Sequence, residues 1–225
     1  MNSYPRVNLE GTGYEIDGAA CFGSAFLAAM SFHAPEGLAA VRDRSGAYHL
    51  TRSGEPAYAD RFLETFGFYD GRAAVRDERG WFHIRPDGSP LHQRRFRWSG
   101  NFQDGRCAVM DQRGFFHVDA LGRDAYGHRF AYVGDFRSGI AVARGARGAF
   151  HIRADGTPLD RDVYVHAEPF HKGIAVVADE RGFYHVGHDG KPVHSMHFMS
   201  AEPFYNNVAL CRTSDGDLIR LRANG

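Results

Sequence analysis

The chain has 225 residues, of which 43% are hydrophobic and 24% charged, enough to bury a real core. Its 27 Lys and Arg balance its 27 Asp and Glu, which excludes an overall field drawing it to nucleic acid, anionic lipid or an acidic substrate. Three cysteines, Cys21, Cys107 and Cys211, show no CxxC or other ligand spacing and argue against a disulfide framework or a zinc site.

At the N-terminus, Met1 to Gly18 mixes Arg6, Glu10 and Asp17 with few apolar residues and lacks the basic-then-apolar order of a secretory signal. The apolar stretch from Ala19 to Ser31 is too short to span a bilayer, so a cytoplasmic, soluble protein is expected. Only Ala19 to Met30 hints at a helix. Gly13-Tyr-Glu-Ile16 falls 34 residues before Ala47-Tyr-His-Leu50 and reads as a half copy lacking the strand before it. Residues 1–20 are therefore expected to form a half repeat or cap, and 21–225 a six-unit domain.

Six tandem copies of one 34-residue unit follow. Glycine recurs at Gly37, Gly71, Gly105, Gly139 and Gly173, again at Gly46, Gly80, Gly114, Gly148, Gly182 and Gly216, and a third time at Gly54, Gly88, Gly122, Gly156 and Gly190. Phenylalanine recurs at Phe68, Phe102, Phe136, Phe170 and Phe204.

Within a copy, a small-apolar run such as Arg72-Ala-Ala-Val-Arg76 and an aromatic, β-branched run such as Trp81-Phe-His-Ile84 have strand length and composition. The polar link Asp77-Glu-Arg-Gly80 between them predicts a hairpin. A turn typified by Arg85-Pro-Asp-Gly-Ser-Pro90 leads to an aromatic at Phe62, Phe96, Phe130, Tyr164 or Phe198, where a third strand is expected, as in Arg95-Phe-Arg-Trp98 and Asp162-Val-Tyr-Val165. Both strand faces carry small or apolar groups, so each sheet must be covered on both sides by its neighbours. The expected class is all-β: hairpin or three-stranded units in a propeller-like ring, or alternatively an open β-superhelical stack.

Phe68-Tyr-Asp-Gly-Arg-Ala-Ala-Val75 with Gly80-Trp-Phe-His-Ile84 resembles the WG-repeat family of bacterial proteins, over nearly the whole chain, in a histidine-bearing variant. The resemblance implies repeated β-hairpins and a binding or scaffolding role without established catalytic residues. The Trp-Gly pair that names the family is absent, with Trp81-Phe82 the nearest relic. Similar histidine-bearing repeats adjoin methyltransferase domains, which suggests an enzyme accessory as an alternative role.

Histidine holds one position in five copies, His49, His83, His117, His151 and His185. A metal needs ligands converging within about 2.0–2.2 Å, whereas equivalent positions in stacked sheets lie about 10 Å apart. A structural role, bonding a turn or a neighbouring unit, is therefore expected, with no metal and no cofactor. The repeated Asp43, Asp77, Asp111 and Asp179 read as turn-starting residues.

What varies on a fixed scaffold is the better binding signal. Tyr69, Gln103, Arg137, His171 and Tyr205 follow the repeated phenylalanine, and Asn101 and Asp135 precede it. If such loops share one end of the array, they form a surface for a protein or peptide partner, with a small molecule or glycan as alternatives and no nucleic-acid or membrane partner. No catalytic set stands out. In the glycan reading Tyr69, Trp81 and Trp98 would stack on sugar rings.

Overall fold

The computed structural model describes residues 4–23, 25–159 and 163–223. Among these residues there is no helix, so the Ala19–Met30 hint gives way to short strands at Ala19–Cys21 and Ala28–Ala29. Close contacts divide the chain into two compact units, 1–112 with 118–123, and 113–117 with 124–225.

Seven three-stranded sheets follow one another along the sequence. The first contains Arg6–Val7, Tyr14–Ile16 and Ala19–Cys21, the second Ala28–Ala29, Leu38–Asp43 and Gly46–Thr51, and the third Glu64–Thr65, Ala73–Asp77 and Gly80–Ile84. The fourth contains Trp98–Gln103, Arg106–Asp111 and Gly114–Val118, and the fifth Tyr132–Val133, Ile140–Gly145 and Gly148–Arg153. The sixth contains His166–Ala167, Ile174–Asp179 and Gly182–Gly187, and the seventh Ser200–Ala201, Val208–Arg212 and Leu218–Arg222. The N-terminal half repeat thus has the strand expected to be missing: Arg6–Val7 pairs antiparallel with Tyr14–Ile16.

From the second sheet to the seventh the plan is a first strand followed by a long hairpin, the first strand having two residues except in the fourth sheet, where Trp98–Gln103 has six. In the third and fifth sheets the hairpin's two long strands share one register, Val75 opposite Phe82 and Val142 opposite His151, and the seventh sheet shifts it by one residue, with Cys211 opposite Ile219. Both faces are covered, for Trp81, Phe82, His83 and Ile84 are all buried although successive side chains point to opposite faces.

The turn between first and second strands is a two-residue loop with positive φ at both positions, Asp70 (51°) and Gly71 (71°) in the third sheet. That is a type I′ hairpin, whose twist matches the strands it joins. In the seventh sheet Asn207 takes the place of the recurring glycine at φ 63°, the substitution this conformation tolerates best. The aspartates of the long hairpin act locally as expected. The carboxylates of Asp43, Asp77 and Asp179 accept from the backbone N–H of Ser45, Arg79 and Arg181.

The third strand expected around the repeated aromatic is present but begins two residues after it, at Glu64, Trp98, Tyr132, His166 and Ser200. The aromatic makes one isolated bridge to the preceding sheet, and the chain then passes directly into the next. Phe62 exchanges both backbone hydrogen bonds with Ala47 of the second sheet, and the adjacent Leu63 donates to Arg76 O of the third. Phe96 does the same with Trp81, and Phe130, Tyr164 and Phe198 with Phe115, Ala149 and Phe183. Arg95-Phe96 therefore precedes the strand that opens at Trp98, and Asp162 lies outside the described residues. A single bridge suffices because the crossing segment is held from both sides.

This crossing explains the second glycine of the repeat. At Gly80, with φ +132°, an added Cβ would lie 2.6 Å from Phe96 O, and at Gly114 the same distance from Phe130 O. Glycine is required there by the close approach of backbone as well as by the turn.

Candidate functional site

Two sets of chemically capable side chains recur with the repeat, one inside the sheets and one at their turns. The inner set begins with the five histidines, each at most 1% exposed. His49, His117, His151 and His185 place Nε2 2.8–2.9 Å from the carbonyl oxygen of Phe66, Gly134, Glu168 and Glu202, on the first strand of the following sheet or directly beside it. A carbonyl only accepts, so Nε2 carries the proton and Nδ1 must accept.

The donor to Nδ1 lies nine residues further on. It is the hydroxyl of Tyr58 for His49 and of Tyr126 for His117, and His194 Nε2, at 2.9 Å, for His185. His83 lies 3.0 Å from His92 on one side and 2.8 Å from Ser99 Oγ and 3.3 Å from Cys107 Sγ on the other. Burial pushes the imidazolium forms down, to about 4 at His49 and about 3 at His83, and in the same direction at His92, His185 and His194. These five rings are neutral at pH 7; His49, His83 and His185 are engaged on both sides, while Nδ1 of His92 and of His194 is buried without a hydrogen-bond partner among the described residues. Among the described residues no three His, Cys, Asp or Glu side chains are arranged to hold a metal ion. Cys107 and Cys211 are buried, Cys21 is partly exposed, and all three are free thiols.

The turn set contains the variable residues. Tyr69, Arg137, His171 and Tyr205 each pair across the two-residue turn with a residue at the start of the second strand or, for Arg72, directly before it: Arg72, Ile140, Ile174 and Val208. Gln103 stands at the same place, opposite Arg106. In the first compact unit, His33 packs edge-on against Tyr69, ring centroids 4.8 Å apart, and covers the backbone of Gly67. Glu36 Oε1 accepts from Gly71 N at 2.7 Å, and the Arg72 guanidinium lies 4.9 Å from the Phe102 ring centre. The turns of the second, third and fourth sheets thus hold one another.

In the other unit His171 and Tyr205 are 4.9 Å apart by ring centroid, with Tyr205 59% exposed. Asp135 is accessible to solvent, yet the protein mass around it raises its carboxyl above the ordinary value, against the pull of Arg137. Two polar atoms of this set, Asn101 Oδ1 and His171 Nε2, are buried with no hydrogen-bond partner among the described residues. Buried polar groups in folded proteins are otherwise almost always paired.

Sequence reasoning singled out Tyr69, Gln103, Arg137, His171, Tyr205, Asn101 and Asp135, and the structure places all of them at or beside these turns. It missed Glu36 and left His33 without an identifiable partner, because the turn from His33 to Leu38 is longer than that from Tyr69 to Arg72 and so lies out of register. Of the aromatics proposed to stack on sugars, Trp81 is only 6% exposed and lies flat against Phe66, leaving no face to offer.

No family model matches the sequence, and no curated protein matches it. Solved structures do. KlHsv2 with loop 6CD replaced by a Gly-Ser linker superposes at a TM-score of 0.50 and 9% identity, covering 85% of this chain and 83% of that one. The WD40 beta propeller domain of Doa1 gives 0.38 at 14% identity, covering 86% of each chain, and YCF48 bound to D1 peptide gives 0.42 at 13% identity, covering 85% and 77%. At these identities the likeness is one of fold, and the fold class is all-β and propeller-like, built of three-stranded units.

Proposed function

We propose that this chain is a non-catalytic binding module that displays the residues of its short turns to a protein or peptide partner. The observation that carries the reading is the contrast between the two recurring sets. The histidines are held in place inside, whereas the turns differ from copy to copy, touch their neighbours and, at Tyr205, stand exposed to solvent. Tyrosine at such positions supplies contact area at low entropic cost, and histidine and arginine supply polar recognition. In this reading the histidines serve the scaffold, the repeat belongs with the WG-repeat family in a histidine-bearing form, and the module works in the cytoplasm, where its three free thiols stay reduced.

The test replaces the turn residues unit by unit, Tyr69→Ala with Gln103→Ala, and Arg137→Ala with Tyr205→Ala. A partner captured by the wild-type protein and identified by mass spectrometry is expected to be lost from at least one variant whose circular dichroism is unchanged. Full retention by both would overturn the assignment of this surface.

A further inference from the structure

Two grooves lie between the second and third sheets, away from the turns just described. Beside them, cross-strand pairing differs between the two sheets. In the third sheet Glu64 stands opposite Arg76, and their side chains form a charge-assisted pair. In the second sheet the same register places Ala28 opposite Arg42. Arg42 is exposed, and no carboxylate among the described residues pairs with it.

Arg42 stands where the two grooves join, lining both. One groove, about 190 Å³, is walled chiefly by Ala28, Met30, Ala47, Thr65 and Phe66. Its acidic residue, Glu64, is already committed to Arg76. The other, about 450 Å³, is mixed, with Leu27, Phe62 and Leu63 beside charged residues. Its Asp43 is bound by Ser45 and its Asp77 by Arg79 and Arg95, while Glu78 lines only this second groove.

Volume decides what the apolar part can take. A dry cavity of about 150 Å³ accommodates a benzene molecule. At about 190 Å³ this groove takes one large apolar side chain and is too small for a long acyl chain. The guanidinium of Arg42, a residue that lines it, complements one carboxylate.

We infer that this groove binds a peptide in which a carboxylate adjoins a large apolar side chain, the side chain entering between the two sheets and the carboxylate replacing, at Arg42, the partner that Glu64 gives Arg76. The inference does not rest on the turn surface, and none of its residues belongs to that surface.

Two probes supply the chemistry from its two sources: the capped peptide acetyl-Gly-Phe-Glu-Gly-amide, and acetyl-Gly-Gly-Phe with a free C-terminal carboxylate. Their controls are the Gln counterpart of the first, the C-terminal amide of the second, and octanoate. In amide NMR titrations of the full chain, at least one charged probe is expected to shift Ala28, Arg42, Ala47 and Phe66. Removing its charge should weaken binding about threefold or more, the size of an exposed ion pair.

Arg42→Gln should erase that difference, and so should Ala28→Glu, which supplies the missing carboxylate from within. Both positions are exposed, so both variants should keep the wild-type circular dichroism. Whichever charged probe binds more tightly identifies the source of the carboxylate. The inference is overturned if neither charged probe shifts these amides, if charge removal has no effect, if Arg42→Gln preserves the difference, or if octanoate binds where the peptides do not.

Discussion

His185 Nδ1 lies 2.9 Å from His194 Nε2, and because His185 Nε2 donates to Glu202 O, the proton between the two rings belongs to His194. His194 is thus a donor by construction. Replacing it with Gln keeps an N–H within reach and should cost less than about 1 kcal/mol. Leu, close in size but without a donor, strands a buried acceptor and should cost about 1–3 kcal/mol. Urea unfolding of the two variants, compared at equal slope, measures the difference.

Acid should destabilise the protein well before its carboxylates titrate. His49 is held down to about 4 and His83 to about 3 by burial, whereas both return to about 6.5 when unfolded. A depressed folded-state pKa means that the unfolded chain takes up protons first. The contribution of these neutral rings is therefore complete above pH 6.5 and is lost as the pH falls towards the folded values, by up to about 1.4 kcal/mol per pH unit for each ring. Urea midpoints measured between pH 7.5 and 4.5 should fall steadily, and His83→Asn should flatten the slope.

Two glycine substitutions should differ sharply despite their shared positive φ. Gly105, at φ +69°, has open space where a Cβ would stand, so Gly105→Ala should cost about 1 kcal/mol. At Gly80, φ is +132° and the Cβ would meet Phe96 O at 2.6 Å, which requires the crossing segment to move. Gly80→Ala should cost about 2–4 kcal/mol, read from thermal or urea unfolding.

These two glycines mark what the sequence could and could not disclose. The repeat, the hairpins and the all-β class were legible because positive-φ turns and doubly buried strands restrict residue choice, and the restriction returns every 34 residues. The position of Gly80 was visible but not its full cause, since the crowding comes from Phe96 O, a backbone atom that leaves no mark in residue type. The third strand is expected two residues too early because the aromatic of the crossing segment has strand character while only that one residue bridges. The solitude of Arg42 is a matter of register, Ala28 against Glu64, and the longer turn at His33 hides that alignment from a search at fixed period.

Arg95 performs two tasks that lysine cannot combine. Its guanidinium lies 3.5 Å from the Phe82 ring centre and 2.9 Å from Asp77 Oδ2, with the side chain largely buried. Arg95→Lys keeps the charge but gives up either the stacking or the forked contact, and should cost about 1 kcal/mol in urea unfolding. High salt should remove only part of the wild-type advantage, because stacking contacts are not screened.

The handover at Phe62 and Leu63 also bears on how such a chain lengthens or shortens over generations. Consecutive residues answer to different sheets, so a one-residue insertion at that seam has no slack to absorb it and would turn the following strand's side chains to the wrong face. Whole copies can be gained or lost, since a 34-residue step restores every pairing, while small insertions are confined to turns such as the one after His33. The joint that holds neighbouring sheets together thus also sets the unit in which the gene can be edited.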